Sequence, residues 1–198
     1  MAEEGYVKFN CEFVKKKPLP LKKLKEINEW RDKLFKLGLI GAYPNGVGFG
    51  NISIRAKQLQ FIITETATGR FPSLKAEHYT TVVDFDFERN WLRCSGSIKA
   101  SSESLTHAAI YQSDAAVNAI IHVHNLALWK KLLHKVPTTR KEAEYGTPEM
   151  SKEIIRLFKE TDVSKQKILA MAGHKEGVIC FGKDLKEAYD ILLKYFKG

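Results

Sequence analysis

The run VNAIIHVH, residues 117–124, constrains the fold more than any other stretch of the chain. It is short, apolar and rich in β-branched residues, so it reads as a buried strand, and LALWKKLL after it reads as a helix. Within that strand stand two imidazoles, His122 and His124, separated by one valine. Residues two apart in a strand share a face, with Cβ atoms roughly 7 Å apart. Two imidazoles at that spacing can converge on one ion about 2.0–2.1 Å from each nitrogen. On spacing alone such a pair is more often exposed or hydrogen-bonded histidines than a metal site, and a third ligand has to decide.

The surrounding pattern is that of a layered domain. Residues 21–37 place Leu24, Ile27, Trp30, Leu34 and Leu37 at helical spacing, with Gly38 as a stop. Strand-like runs follow at NISIR (51–55), LQFIIT (59–64), YTTVVDFD (79–86) and WLRC (91–94), separated by loops rich in Gly, Pro, Ser and Thr. Ser102 is the expected N-cap of a helix over about 103–113. Thr147 as N-cap, Pro148 at the first helical position and Glu149 in the first turn mark another helix. KILAMA and GVICFG read as strands about a turn at 173–177, and a last helix starts at Asp184, with Glu187 completing a capping box. Strands this close in sequence tend to pair antiparallel, and no repeat or Gly/Ser-rich linker divides the chain. The expectation is a single α/β domain over 1–198, with 1–20 as an N-terminal extension.

Composition excludes several classes. At 198 residues the chain can bury the core of one domain. No apolar run approaches the roughly 18–20 residues that span a bilayer, and MAEEGYVKFN lacks the apolar region of a secretory signal. Cys11, Cys94 and Cys180 are odd in number and far apart, with no CxxC pair, so a disulfide framework is not expected and a reducing cytoplasm is. The net charge of +9 is densest in KKKPLPLKKLKE (15–26). No RNA-recognition motif, zinc-finger spacing or helix-turn-helix pattern accompanies it. Nucleic acid and membrane are therefore not expected partners, and part of the excess can steer small anions.

Other candidates come from loops and helix ends. His174, in AMAGHKEG, sits at a Gly-flanked turn between apolar strands, where a side chain can be presented at the sheet end. Glu103, in SSESLTH, either complements the positive end of a helix or faces a site. His107 lies one turn further on the same face, as a partner of that carboxylate or as packing. GFGNISI (48–54) and TATGR (66–70) are small-residue loops whose N–H groups could approach a ligand, although neither matches a phosphate-loop or dinucleotide fingerprint. The SSE hydroxyls and amides offer a phosphate seat at a helix N-terminus.

GNIS (50–53), TG (68–69), SSE (101–103) with a following histidine, HVH (122–124), YGTPEM (145–150) and GH (173–174) occur in one order. This set resembles the class II aldolase/adducin family, which includes fuculose-phosphate and rhamnulose-phosphate aldolases and ribulose-phosphate 4-epimerase. The resemblance spans roughly residues 22–196. It implies a three-layer α/β/α domain with a mostly antiparallel sheet, assembled as a homotetramer. It also implies that His122, His124 and His174 bind Zn2+ or another divalent transition metal. Glu103 would ligate the metal in the empty site and act as the catalytic base. Asn51, Thr68, Gly69, Ser101 and Ser102 would hold the phosphate of a small phosphorylated sugar.

The implied reaction is aldol or retro-aldol chemistry through a metal-stabilised enediolate, with Glu103 moving the proton. A 4-epimerase or sugar-phosphate dehydratase on the same scaffold is the alternative, although the epimerase resemblance would place Asp at position 103 and the dehydratase branch lacks the SSE pattern. A non-catalytic adducin-like assembly module is a further alternative, against which stand all three histidines. Two departures bear on mechanism. Lys175 follows His174 where the family often has glycine, and the sequence ends at Gly198 without the tail that supplies fuculose-phosphate aldolase with a catalytic tyrosine. The resemblance therefore assigns no proton donor to the aldehyde oxygen.

Overall fold

A computed structural model describes residues 7–65 and 68–197. Thr66 and Ala67 of the TATGR loop, and residues 1–6 of the N-terminal extension, lie outside the described residues. The first half of the chain forms β1 (Asn10–Lys15), α1 (Leu21–Lys36), β2 (Gly41–Ala42), β3 (Gly48–Phe49), β4 (Asn51–Lys57), β5 (Gln60–Thr64), β6 (Tyr79–Asp86) and β7 (Trp91–Gly96). The second half forms α2 (Ser104–Ser113), β8 (Ala119–His124), α3 (Leu126–Leu132), α4 (Pro148–Glu160), α5 (Val163–Gln166), β9 (Ile168–Ala170), β10 (Gly177–Gly182) and α6 (Leu185–Lys197).

Eight strands make one sheet in the order β1-β7-β6-β5-β4-β8-β10-β9. Every neighbouring pair is antiparallel except β1 with β7, which is parallel, so the sheet is mixed rather than purely antiparallel. The parallel edge comes from the segment set apart in the sequence as an extension. There Cys11 and Phe13 pack inward while Asn10, Glu12 and Val14 stay exposed, the period of a strand with one covered face. Cys11 and Cys94 remain free thiols, with sulfurs 3.6 Å apart.

Helices cover both faces. On one, Leu105, Ala108 and Ala109 of α2 and Met150, Ile154 and Leu157 of α4 pack on Phe61, Ile63, Val82 and Leu92. On the other, Leu24, Ile27 and Leu34 of α1, with α3 and α6, pack on Ile52, Ile62, Ile121 and Val123. β8 lies between β4 and β10 at the centre and is buried at all six residues, which explains why it is apolar apart from its two histidines. Ala119, Ile121 and Val123 face the α1 side and Ile120 faces the α2 side. His122 and His124 therefore project toward the α2 side, at the end of the central strand.

Several helix ends form as the side chains predict. Thr147 Oγ1 accepts from the Met150 N–H at 3.4 Å, and Asp184 Oδ1 accepts from the Glu187 N–H at 2.8 Å. Glu187 takes its return bond from the Lys183 N–H, at 2.7 Å. One cap differs from expectation. α2 starts at Ser104 with Glu103, not Ser102, in the N-cap position, and the Glu103 side chain makes no capping bond. Ser101 Oγ accepts from the Glu103 N–H at 3.2 Å instead, which leaves the carboxylate to point elsewhere.

Candidate metal centre

The sheet delivers three adjacent strands to one place. Asn51, the first residue of β4, is paired with His122, and Gly177, the first residue of β10, with His124. The β9–β10 turn adds His174, and the start of α2 adds Glu103 from the helical layer. Ligand-capable nitrogens of His122, His124 and His174 all lie within 4.8 Å of one another, and all three residues are buried. Around an ion with bonds of about 2.0–2.1 Å, tetrahedral ligands sit roughly 3.4 Å apart, so modest side-chain adjustment closes this set. Glu103 Oε1 is already 3.3 Å from His174 Nδ1. The turn that presents His174 admits no side chain at Gly173, where a Cβ would lie 1.9 Å from the Ala143 carbonyl oxygen.

The environment favours ligation over protonation. Burial, reinforced by His124, His174 and His107, holds His122 well below the ordinary histidine value, so its ring is neutral and its lone pair available. Burial is also the largest influence on Glu103 and pushes its carboxyl upward. The attraction and hydrogen bond of His174, with His107 and His124, outweighs it and leaves the group below its usual range. His122 Nε2 and Glu103 Oε2 are buried with no hydrogen-bond partner among the described residues. Buried polar atoms are normally satisfied by protein, water or an ion, and these two face the histidine cluster. Three imidazoles and a carboxylate are a donor set that fits a divalent transition metal, as zinc or a neighbour of it.

The cleft over this cluster is lined by Asn51, Ser101, Ser102, Glu103, Phe49 and Tyr145 besides the histidines. Thus Asn51, Ser101 and Ser102 join the cluster, whereas Thr68 and Gly69 do not line the cleft. Their loop lies behind the β2–β3 hairpin, and a Cβ on Gly69 would sit 1.9 Å from the Gly41 carbonyl oxygen. The Thr68 hydroxyl donates to the Glu65 carbonyl at 2.5 Å. His107, fully buried and driven by burial down to about 4, is neutral; its Nδ1 is 2.7 Å from Ser53 Oγ. Of the two sequence readings of His107, the packed and hydrogen-bonded one describes that contact.

The profile of the class II aldolase and adducin N-terminal domain matches residues 43–195. The chain belongs to this family. An L-fuculose phosphate aldolase of Methanocaldococcus jannaschii is 29% identical over 160 residues, covering 74% of this chain and 79% of that protein. A probable L-ribulose-5-phosphate 4-epimerase of Mycoplasma pneumoniae is 28% identical over 103 residues, covering 51% of this chain and 41% of that protein. The crystal structure of an L-fuculose-1-phosphate aldolase from Thermus thermophilus superposes with a TM-score of 0.63 at 19% identity, over 90% of this chain and 91% of that one. That likeness shows the class II aldolase fold, a mixed sheet between helical layers.

Four contributors were not seen in the sequence. Tyr145, the first residue of the YGTPEM motif, stacks on His174 with ring centroids 4.6 Å apart. Tyr43 reaches His124 from one loop and Glu176 reaches Tyr43 from another, and nothing local marks either one. Arg31 could have been found. It falls on the apolar stripe of α1 between Ile27 and Leu34, at a position where a charge has to be satisfied inside the fold.

Proposed function

We propose that the chain is a zinc-dependent lyase that cleaves or forms a carbon–carbon bond of a small phosphorylated sugar in the cytoplasm. The observation that carries this reading is the convergence of His122, His124, His174 and Glu103 in one buried cluster. A zinc ion held by the three imidazoles would polarise the substrate's carbonyl oxygen and so acidify the neighbouring C–H bond. Glu103, 3.3 Å from His174 and so beside that position, takes the proton from carbon and returns it in the reverse direction. Ser101, Ser102 and Asn51 line the same cleft, and with the amides at the start of α2 they receive the phosphate. Thr68 and Gly69 support the seat from behind through the hairpin. The family resemblance further suggests a homotetramer, which light scattering on the purified protein tests.

Deuterium incorporation into dihydroxyacetone phosphate in D2O, followed by NMR with zinc-loaded protein, tests the proton-transfer half of this reaction. Stereospecific exchange that disappears in Glu103→Gln supports the reading. Full exchange in that variant, with zinc retained, removes Glu103 from its role. The relative named as an epimerase supports a second reading in which the same bond is broken and remade after rotation of the aldehyde fragment. Interconversion of L-ribulose 5-phosphate and D-xylulose 5-phosphate, without net cleavage, would select it. No bound or acquired divalent metal would instead favour the non-catalytic assembly module.

A further inference from the structure

His124 touches Tyr43, and Tyr43 in turn touches Glu176, two groups that the proposed chemistry does not use. Its Nδ1 is 3.0 Å from the Tyr43 hydroxyl, and that hydroxyl donates to Glu176 Oε2, also at 3.0 Å. A phenol carries one proton, and a carboxylate oxygen can only accept. With the Tyr43 proton directed to Glu176, the Tyr43 oxygen is an acceptor toward His124. The contact at 3.0 Å then requires a proton on Nδ1, which in the neutral ring leaves the lone pair on Nε2.

Both partners are held for this purpose by local structure. Tyr43 sits on the tight β2–β3 turn, with its N–H donating to the Val47 carbonyl and its carbonyl accepting from the Gly46 N–H, both at 2.8 Å. Phe49 of the same hairpin packs on Tyr43 at 4.7 Å between centroids and stacks on His124 at 5.7 Å. Glu176 lies in the turn after His174 with φ of +72°, a left-handed conformation that is costly for a residue with a Cβ. Glycine would adopt it without that cost. The Glu176 carboxylate on Tyr43 is a contact that glycine at this position could not make.

We propose that Glu176 and Tyr43 form a positioning relay that fixes His124 as the Nδ1–H tautomer and so reserves Nε2 for the metal. The assignment of Nε2 as a metal ligand rests on the function proposed above; the tautomer itself does not. Hydrogen bonds of this kind to a ligating histidine set ring orientation and basicity, and their loss costs roughly 10–100-fold in metal affinity.

The test uses Tyr43→Phe, Glu176→Gly and the double variant. Two-bond 1H–15N correlation spectra of the metal-free protein read the His124 tautomer, with His124→Gln assigning the signals. Cobalt affinity is measured by competition with a chromophoric chelator, and thermal melting of the metal-free proteins is followed alongside. The expected result is a single Nδ1–H form in the unaltered protein and a mixture in both single variants. Cobalt affinity falls by about 10–100-fold in each, and the double variant is no weaker than the worse single one, because the two groups act in series. Glu176→Gly melts no lower than the unaltered protein, since it releases the left-handed strain; a merely structural glutamate would lower it. His124 remaining Nδ1–H in both variants, or cobalt affinity within twofold of the unaltered value, overturns the relay. Failure of the metal reading looks different: the unaltered protein takes up no cobalt while the variants still lose the fixed tautomer, which upholds the relay and removes the metal.

Discussion

Arg31→Lys is the most informative change to the scaffold beneath the cleft. Arg31 is 1% exposed and its guanidinium donates to four carbonyls of one loop. They are those of Thr68 and Gly69, both at 3.1 Å, Pro72 at 3.0 Å, and Phe71. Burial draws the Arg31 value down, but a guanidinium starts high enough to stay charged. A lysine ammonium can reach the same depth, yet its donors radiate from one atom and cannot span the four acceptors. With about two of those bonds lost, at roughly 1.5 kcal/mol each toward the low end for charged donors, the cost is about 3 kcal/mol. Thr68 keeps a backbone bond from the Phe71 N–H at 3.1 Å, which argues against a larger figure. In a domain of this size 3 kcal/mol lowers Tm by about 6–12 °C. Calorimetry measures that shift, and hydrogen exchange should localise faster opening to residues 68–72. A melting point within about 2 °C of the unaltered protein would refute the claim that this one cation holds the loop.

Gly173→Ala should fail more severely, because its Cβ meets a main-chain oxygen that cannot move without shifting His174; loss of metal uptake checks it. Metal removal by a chelator should lower the melting point, and adding zinc at about 1,000 times its Kd should restore roughly 4 kcal/mol. Acid should weaken the fold in part through Glu153. Its hydrogen bond to Arg156, opposed by burial and aided by the Arg140 N–H, holds it below the usual carboxylate range. A depressed carboxyl stabilises above its unfolded value, 4.5, and that stability is lost as pH falls through the lower folded value. Glu153→Gln should therefore flatten the acid limb of a Tm–pH profile below about pH 4.5, and an unchanged limb would count against the ion pair.

Much of this protein is written in contiguous residues. The stripe of α1, the Thr147–Pro148 helix start and the Asp184 cap are set by spacing and side-chain chemistry within a turn or two, so sequence suffices to read them. The apolar run ending in His122 and His124 likewise determines a central strand with both imidazoles on one face. His174 and Glu103 were candidates from their turn and helix-end positions, the resemblance of six short motifs to class II aldolases implied their roles, and the family profile agrees on the family. The N-cap of α2 was misplaced by one residue, because the hydroxyl of Ser101 and that of Ser102 compete for the same end and only the backbone path chooses.

Only the tertiary structure brought Glu103 within 3.3 Å of His174, across most of the second half of the chain. It alone placed Arg31 under the Thr68–Gly69 loop, Tyr43 between His124 and Glu176, and the first strand parallel to β7. It also separated Asn51, Ser101 and Ser102, which line the cleft, from Thr68 and Gly69, which lie behind it. The physical reason is the same in each case. Periodicity and capping depend on neighbours in the chain, whereas a buried cation or imidazole takes its partners from whichever distant backbone the packing of sheet and helices brings within hydrogen-bond reach.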